Sequence, residues 1–494
     1  SDLAESELIT PRKHPDNLQV IPTRAIDTSQ RYTPHTGRPH ILVILANFKD
    51  VKFQVHEPKA AFHDFFNAEG PIVNRGNGNN ENFGSVSKYF KATSLGAFEP
   101  VFEVYGPIDL PKDMTYYGGS NANNNSDEKP RELVQDAVNC VKDQVTNIDR
   151  LDSNNDGYID CVYVVYAGLG QNNGGSAESV WACTSVINNP SLKVGNKNVY
   201  NFSIGAELFP SRIRNQANGQ ERAMQINSIG VTCHEFSHAM ALPDIYPTIS
   251  SAYLDNQEME YWDLMDGGEY TNNGFSPTPY TPWEKEVMGW TSLTTLEDKA
   301  QTVTLKADEA RKIESENSDE YIILHNIQDK DWHSGIAKLG HGMLIYRVNY
   351  GKSSVNMFDH VNDTPGKPGM TVVPADGELF SSYTAKTKEE RKRYRESHKG
   401  DPFPGEKAVT ELLEIKLNLS TLKKPFYNIT EDEKEQTVTF NYLKKSDPTG
   451  INTIATDSEP ANERIYTLDG RYVGTNHTAL PQGIYIKGGK KFVK

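Results

Sequence analysis

His234-Glu235-Phe236-Ser237-His238 commits its part of the chain to one local structure. Two histidines four residues apart share a face only on an α-helix, where positions i and i+4 lie one above the other. Both imidazoles then reach one ion, and Glu235 beside the first is a carboxylate free to move protons. Two nitrogen ligands and a non-ligating carboxylate are the layout of a catalytic zinc site. The plainer reading is a pair of histidines on a buried helix, each satisfied by hydrogen bonds. Ser228-Ile229-Gly230-Val231-Thr232-Cys233 leads into the motif, and Phe236, Met240 and Leu242 continue it, which predicts a core-packed helix over Ser228–Met240. Pro243 drives Leu242 out of the helical region and is expected to end that helix.

A turn at this point returns Asp244 toward the imidazoles. Asp244 lies six residues after His238, the spacing HExxHxxGxxH/D at which metzincins take a third ligand. Ala241 stands where that pattern has glycine. If the turn needs φ > 0, its Cβ costs about 1–2 kcal/mol. A glutamate on a later helix is the other candidate third ligand, with Glu284 and Glu286 best placed. Met265 suits either a Met-turn beneath the zinc site or an ordinary core position between turns. Tyr246 and Tyr261 are candidate oxyanion donors and, read more plainly, packing residues.

A second loop carries metal-type spacing. Asp152-Ser153-Asn154-Asn155-Asp156-Gly157-Tyr158-Ile159-Asp160 offers side-chain oxygens from Asp152, Asn154, Asp156 and Asp160 and a carbonyl from Tyr158, with Gly157 at the sharp turn. Tyr163 stands where an EF-hand has its bidentate glutamate, so a full EF-hand is excluded. The expectation is a structural calcium loop leading into a strand. The alternative is an Asp/Asn-rich solvated turn.

Composition sets outer limits. A length of 494 residues suits about three domains. A net charge of −15 argues against nucleic acid as a partner. The longest apolar runs, near 41–48 and 161–169, are too short to cross a bilayer. The sequence starts at Ser1 without an apolar targeting segment, which fits a signal peptide removed or left out. Cys140, Cys161, Cys183 and Cys233 allow one or two disulfides in an exported protein, although Cys161 and Cys233 stand in apolar contexts that suit buried thiols.

Along the chain, residues 1–39 are polar and proline-punctuated, an N-terminal arm or pro-segment that could impose latency or simply lead the chain. Over 40–295 strands are expected at Ile41–Phe48, Val101–Tyr105, Val162–Tyr166 and Ser203–Leu208, with helices at Pro130–Thr146 and around the motif. Asn121–Asn125 and Gln171–Ser176 read as loops. Over 296–446 short β-type runs at Gln301–Leu305, Tyr321–Asn326, Gly342–Val348 and Thr437–Tyr442 predict a β-sandwich. The basic run Lys386–Lys399 reads as a solvated helix face, 447–460 as a linker and 461–494 as a small β segment.

HEFSHAMALPDIY resembles the HExxHxLGLPDxY signature of the immune inhibitor A-like secreted metallopeptidases. Ile41–Phe48, Gly84–Phe90 with Ser94-Leu95-Gly96, and Tyr261–Gly268 resemble that family's first core strand, its "SVxxYFxxxSxG" helix and its "W-x-L-M-x-x-G" segment. Gly342–Val348 and Gly400–Gly405 resemble segments downstream of its catalytic domain. The resemblance implies a bacterial zinc endopeptidase with His234 and His238 as ligands and Glu235 as base. The end of the chain, from Ile465 to Lys494, resembles C-terminal segments of exported Bacteroidetes proteins, which implies export machinery or cell-surface attachment. The expected fold class is α+β: a zincin-type catalytic domain with a mixed sheet and active-site helix, a β-sandwich, and the small C-terminal β segment. The expected function is hydrolysis of extracellular proteins or peptides by a secreted or cell-surface monomer with catalytic zinc and structural calcium. Its rivals are a calcium-dependent adhesion protein with a decayed protease domain, and a glycoprotein-directed or exo-acting metallopeptidase.

Overall fold

Ile41–Ala46 is apolar at every position, and a strand of that kind needs cover on both faces. In the computed structural model it has both. The structure describes residues 25–70, 72–73, 81–119, 127, 129–209, 225–253, 259–350, 354–445, 464–468 and 470–494. Residues 1–24 of the expected arm, the loop Asn121–Asn125 and the linker 447–460 lie outside them.

The strands of the first sheet are β1 (His40–Asn47), β2 (Val101–Asp109), β3 (Val162–Leu169), β4 (Cys183–Val186), β5 (Asn201–Phe209) and β6 (Gln225–Ile226). Their order is β6-β5-β3-β1-β2, with β4 also paired to β5. β1, β2, β3 and β5 run parallel, while β4 and β6 are antiparallel to β5 along its other edge. The period of two along each strand sorts the side chains. Leu42, Ile44, Val162 and Val164 pack beneath α3 (Pro130–Val141). Ile41, Val43, Tyr163 and Val165 face α1 (Pro58–Asn67), α2 (Val86–Thr93) and α4 (Ile229–Ala239). The molecule is therefore a mixed α/β structure, with the motif helix lying against one face of a mostly parallel sheet.

Beyond α5 (Pro282–Val287) the chain becomes β-rich. One sheet has the order β8 (Ala310–Glu314), β9 (Tyr321–Ile327), β10 (Gly342–Val348), β11 (Met370–Val372). The other places β13 (Thr437–Tyr442) between β7 (Gln301–Leu305) and β12 (Phe426–Asp432). Ile322, Leu324, Met343 and Ile345 pack against Val303, Phe426 and Phe440 of the three-stranded sheet. The opposite face, with Tyr321, Ile323, Leu344 and Tyr346, joins the core that holds α4. One apolar core thus crosses the position 295/296 where the sequence suggests a boundary. The basic run forms α7 (Lys388–Ser397), opened by a capping box between Thr387 and Glu390; its one buried residue is Tyr394.

Residues 25–39 pack onto this unit. Ala25–Ile26 pairs in parallel with Ser354–Val355. The Thr33 amide donates to the Ala239 carbonyl at the end of α4 (2.9 Å), and the Trp290 indole donates to the His35 carbonyl (2.8 Å).

The chain divides between Leu443 and Lys444 into two compact units. In the second, β14 (Ile465–Thr467), β15 (Tyr472–Gly474), β16 (Ile484–Lys487) and β17 (Lys490–Val493) form a sheet of order β15-β14-β16-β17 around Ile465, Leu480 and Tyr485.

Candidate metal centre

All eleven residues of α4 are buried, so its surroundings place its side chains on every face. Phe236 packs among Phe90, Phe98 and Phe102. At Gly230 a Cβ would stand 1.9 Å from the Glu269 carbonyl oxygen, so only glycine lets the segment Gly267–Gly274 approach this closely.

The end of the helix differs from the expected one. α4 stops at Ala239, before Pro243 can act. The Leu242 amide donates to the Ser237 carbonyl (3.2 Å) and the Ala241 amide to that of His238 (2.9 Å). This is a Schellman motif with Ala241 at its left-handed position, at φ +93°. The signature glycine belongs at that position, and Pro243 follows an end already made.

The turn brings three ligand-type atoms together. His234 Nε2 and His238 Nε2 are 3.1 Å apart, and Asp244 Oδ1 lies 3.3 Å from the first and 3.2 Å from the second. Each Nδ1 faces a carbonyl, that of Leu264 for His234 (3.0 Å) and that of Leu242 for His238 (2.6 Å). Carbonyls only accept, so each Nδ1 carries its proton, and in the neutral imidazole each Nε2 presents a lone pair. Two lone pairs and a carboxylate oxygen meeting in a buried space repel one another unless a cation lies between them. Asp244 Oδ1 is itself buried without a hydrogen-bond donor. The spacings match those between ligands of a tetrahedral ion with bonds of about 2.0–2.1 Å, which sit about 3.3 Å apart.

The electrostatics call for positive charge in this space, supplied by a cation or by protons on the imidazoles. Burial opposes charge on every group here. Even so, His238 and His234 hold the Asp244 carboxyl well below the usual carboxylate range, and Glu269 and Asp244 hold His234 well above the usual imidazole range. Burial raises Glu235, against the lowering influence of His234, His238 and Thr184. Its Oε2 accepts a hydrogen bond from Thr184 Oγ1 on β4 (2.9 Å).

The remaining candidates fall in different places. Burial, then the Asp244 charge, push the Tyr246 hydroxyl well above its usual range. Met265 is buried in a turn whose Asp263 carboxylate accepts the Met265 amide (2.7 Å), and its own carbonyl accepts the Ile245 amide (2.9 Å). The Leu264 carbonyl that orients His234 belongs to the same turn. Tyr261 packs its ring on Tyr394 and His398. Glu284 caps α5 through Thr281 and lies beside Asp263, and Glu286 pairs with Lys312 (2.8 Å), so neither is drawn to the imidazoles. Glu269 and Thr184 escaped the sequence reading. Burial pushes the Glu269 carboxyl up to about 7, with Glu235 adding to the rise. The four cysteines are free thiols, with Cys161 and Cys233 buried.

In the Asp152–Asp160 loop the carboxylates turn onto the chain itself. Asp152 accepts the Asp156 and Gly157 amides and the Lys197 ammonium (2.7 Å). Asp156 pairs with Arg31, whose guanidinium lies over the Tyr158 ring. Burial, then Asp152 and Asp156, push the Asp160 carboxyl up to about 7. The loop leads into strand β3, as expected.

A buried helix carrying two imidazoles and a carboxylate, closed by an aspartate after the turn, defines the metal-dependent peptidase class. The family model "Immune inhibitor A peptidase M6, catalytic domain" matches residues 31–291, and the chain belongs to this metallopeptidase family. The pre-pro-metalloprotease PrtV of Vibrio cholerae serotype O1 is 27% identical over 267 residues, which cover 46% of this chain and 27% of PrtV. Immune inhibitor A of Bacillus thuringiensis subsp. alesti is 23% identical over 287 residues, covering 52% of this chain and 40% of that protein. The matched part spans less than half the length of these relatives. Among the described residues no helix is long and apolar enough to cross a membrane.

Proposed function

We propose that this chain is a zinc-dependent endopeptidase that acts on proteins outside the bacterial cell. The convergence of His234 Nε2, His238 Nε2 and Asp244 Oδ1 within hydrogen-bond distance carries this reading. In the donor set of two imidazoles and a carboxylate, bound zinc supplies Lewis acidity that polarises a carbonyl and acidifies water to a pKa of about 7. Glu235, held by Thr184, takes the proton of the attacking water and hands it to the leaving amine. Leu264 and Leu242 fix the imidazole orientations. The precursor form recorded in PrtV's name supports export.

Glu235→Gln is expected to keep its zinc and lower the rate of casein cleavage about 10²–10⁴-fold. A variant that still cleaves at the parent rate removes Glu235 from the chemistry. Zinc bound by a parent chain that cleaves no protein favours a decayed, adhesive relative.

We also propose calcium for the Asp152–Asp160 loop, supported by the oxygen spacing and by the crowding of charge on Asp160. Lys197 and Arg31 compete for the same carboxylates. A calcium-selective chelator is therefore expected to lower the melting temperature. An unchanged melting temperature assigns the charge balance to those two side chains alone.

A further inference from the structure

A second cluster of ligand-type atoms lies apart from the motif, where α5 meets β9. Asp308, His325 and His333 bring a carboxylate oxygen and two imidazole nitrogens within 4.8 Å of one another. Asp308 Oδ1 lies 2.9 Å from His325 Nε2 and 3.7 Å from His333 Nε2. Both imidazoles are buried, and the Asp308 side chain is 33% exposed, which leaves an entry path. The Asp308 backbone adopts φ +62°, with its amide donating to the Asn326 carbonyl (2.8 Å), so the turn that aims this carboxylate is held from both sides.

Hydrogen bonding alone accounts for only part of the cluster. His325 can be satisfied between Tyr346 Oη, 3.0 Å from its Nδ1, and Asp308. His333 cannot join in the same way, because 3.7 Å is beyond hydrogen-bond range. The two distances straddle the roughly 3.3 Å that separates ligands of a tetrahedral ion, so a shift of a few tenths of an ångström suits both. Tyr346 can accept from His325 Nδ1–H, which turns the lone pair of Nε2 toward Asp308. Burial keeps both imidazoles in the neutral form that ligates metals. Lys285 Nζ lies 3.2 Å from each Asp308 oxygen and can stay on Oδ2 while Oδ1 turns to an ion.

We propose that Asp308, His325 and His333 form a second divalent transition-metal site, filled by zinc, that braces the fold. His333 leads directly into the short helix α6 (Ser334–Ala337), whose Gly335 packs against Ser276. That helix abuts the segment Gly267–Gly274, which in turn presses on α4 at Gly230. An ion on His333 and His325 ties this wall to β9.

The test is a cobalt(II) titration of the full metal-stripped chain, followed by visible absorption. Two equivalents are expected for the parent chain and one each for His333→Ala and Asp308→Asn. His238→Ala should lose the other equivalent and still be stabilised against heat by zinc through the second site. The equivalent that each His333 or Asp308 variant retains shows that it is folded. A parent chain whose bound cobalt is all lost in His238→Ala overturns the proposal, as does a second equivalent that survives both substitutions. Because the two sites are removed by different variants, failure here is separable from failure of the motif site.

Discussion

Ala241 is the residue where the active-site turn departs from its usual chemistry. Its φ of +93° costs an L-residue about 1–2 kcal/mol, while glycine costs about 0.5–1 kcal/mol more than alanine in unfolded-chain entropy. Ala241→Gly is therefore expected to stabilise by up to about 1 kcal/mol, read as a raised denaturation midpoint with unchanged zinc content. A lowered midpoint contradicts the strain. This position, with His234, His238 and Asp244, was legible in the sequence because its geometry is local: a spacing of four on a helix, then a turn. Thr184 and Glu269 were not. Thr184 reaches Glu235 only because β4 pairs with β5 at the edge of the sheet, and Glu269 reaches His234 only because Gly230 lets two segments touch. A single threonine or glutamate carries no periodic mark of such long-range placement.

At the scale of elements, the turn 263–266 is held on one side by α4, through the Leu264 carbonyl and His234, and on the other by α5, through Asp263 and Glu284. These two buried carboxyls lie close enough to share a proton. Burial pushes Asp263 up to about 6, against the lowering influence of the Met265 amide and Glu284, and burial with the Asp263 charge pushes Glu284 well above its usual range. A carboxyl of the unfolded chain titrates near 4, so between that pH and the folded values the native state holds a proton that the unfolded state has released. The pair's contribution is full below about pH 4 and is lost as pH rises through the folded values. Glu284→Gln, which mimics the protonated partner and can donate to Asp263, is expected to lose less stability than the parent between pH 5 and pH 8. Parallel pH profiles of the two denaturation midpoints would rule out the shared proton. The strands were read from sequence to within a few residues because two-sided burial writes continuous apolar runs. The strands β8, β11 and β12 were not anticipated, being specified by pairing partners more than by their own pattern. α4 was placed correctly but its end was attributed to Pro243, since a Schellman turn on alanine has no strong sequence signal.

At the scale of the molecule, the sheet β8-β9-β10-β11 is a wall with two dry faces, one toward β7, β12 and β13 and the other toward the core of α4. Composition change along the chain suggested a break at 295/296, because strand density rises there. Packing does not break there, because alternate residues of β9 and β10 serve both cores. The N-terminal residues 25–39 add to this unit by occupying the carbonyl at the end of α4. The proposed function rests on one ion held by His234, His238 and Asp244. The most direct test strips the chain of metal, adds equimolar zinc, and follows casein cleavage in the parent and in Asp244→Ala. Cleavage is expected to vanish on stripping and to return with zinc in the parent only. A stripped chain that cleaves at its original rate, or an Asp244→Ala chain fully restored by equimolar zinc, would contradict the proposed function.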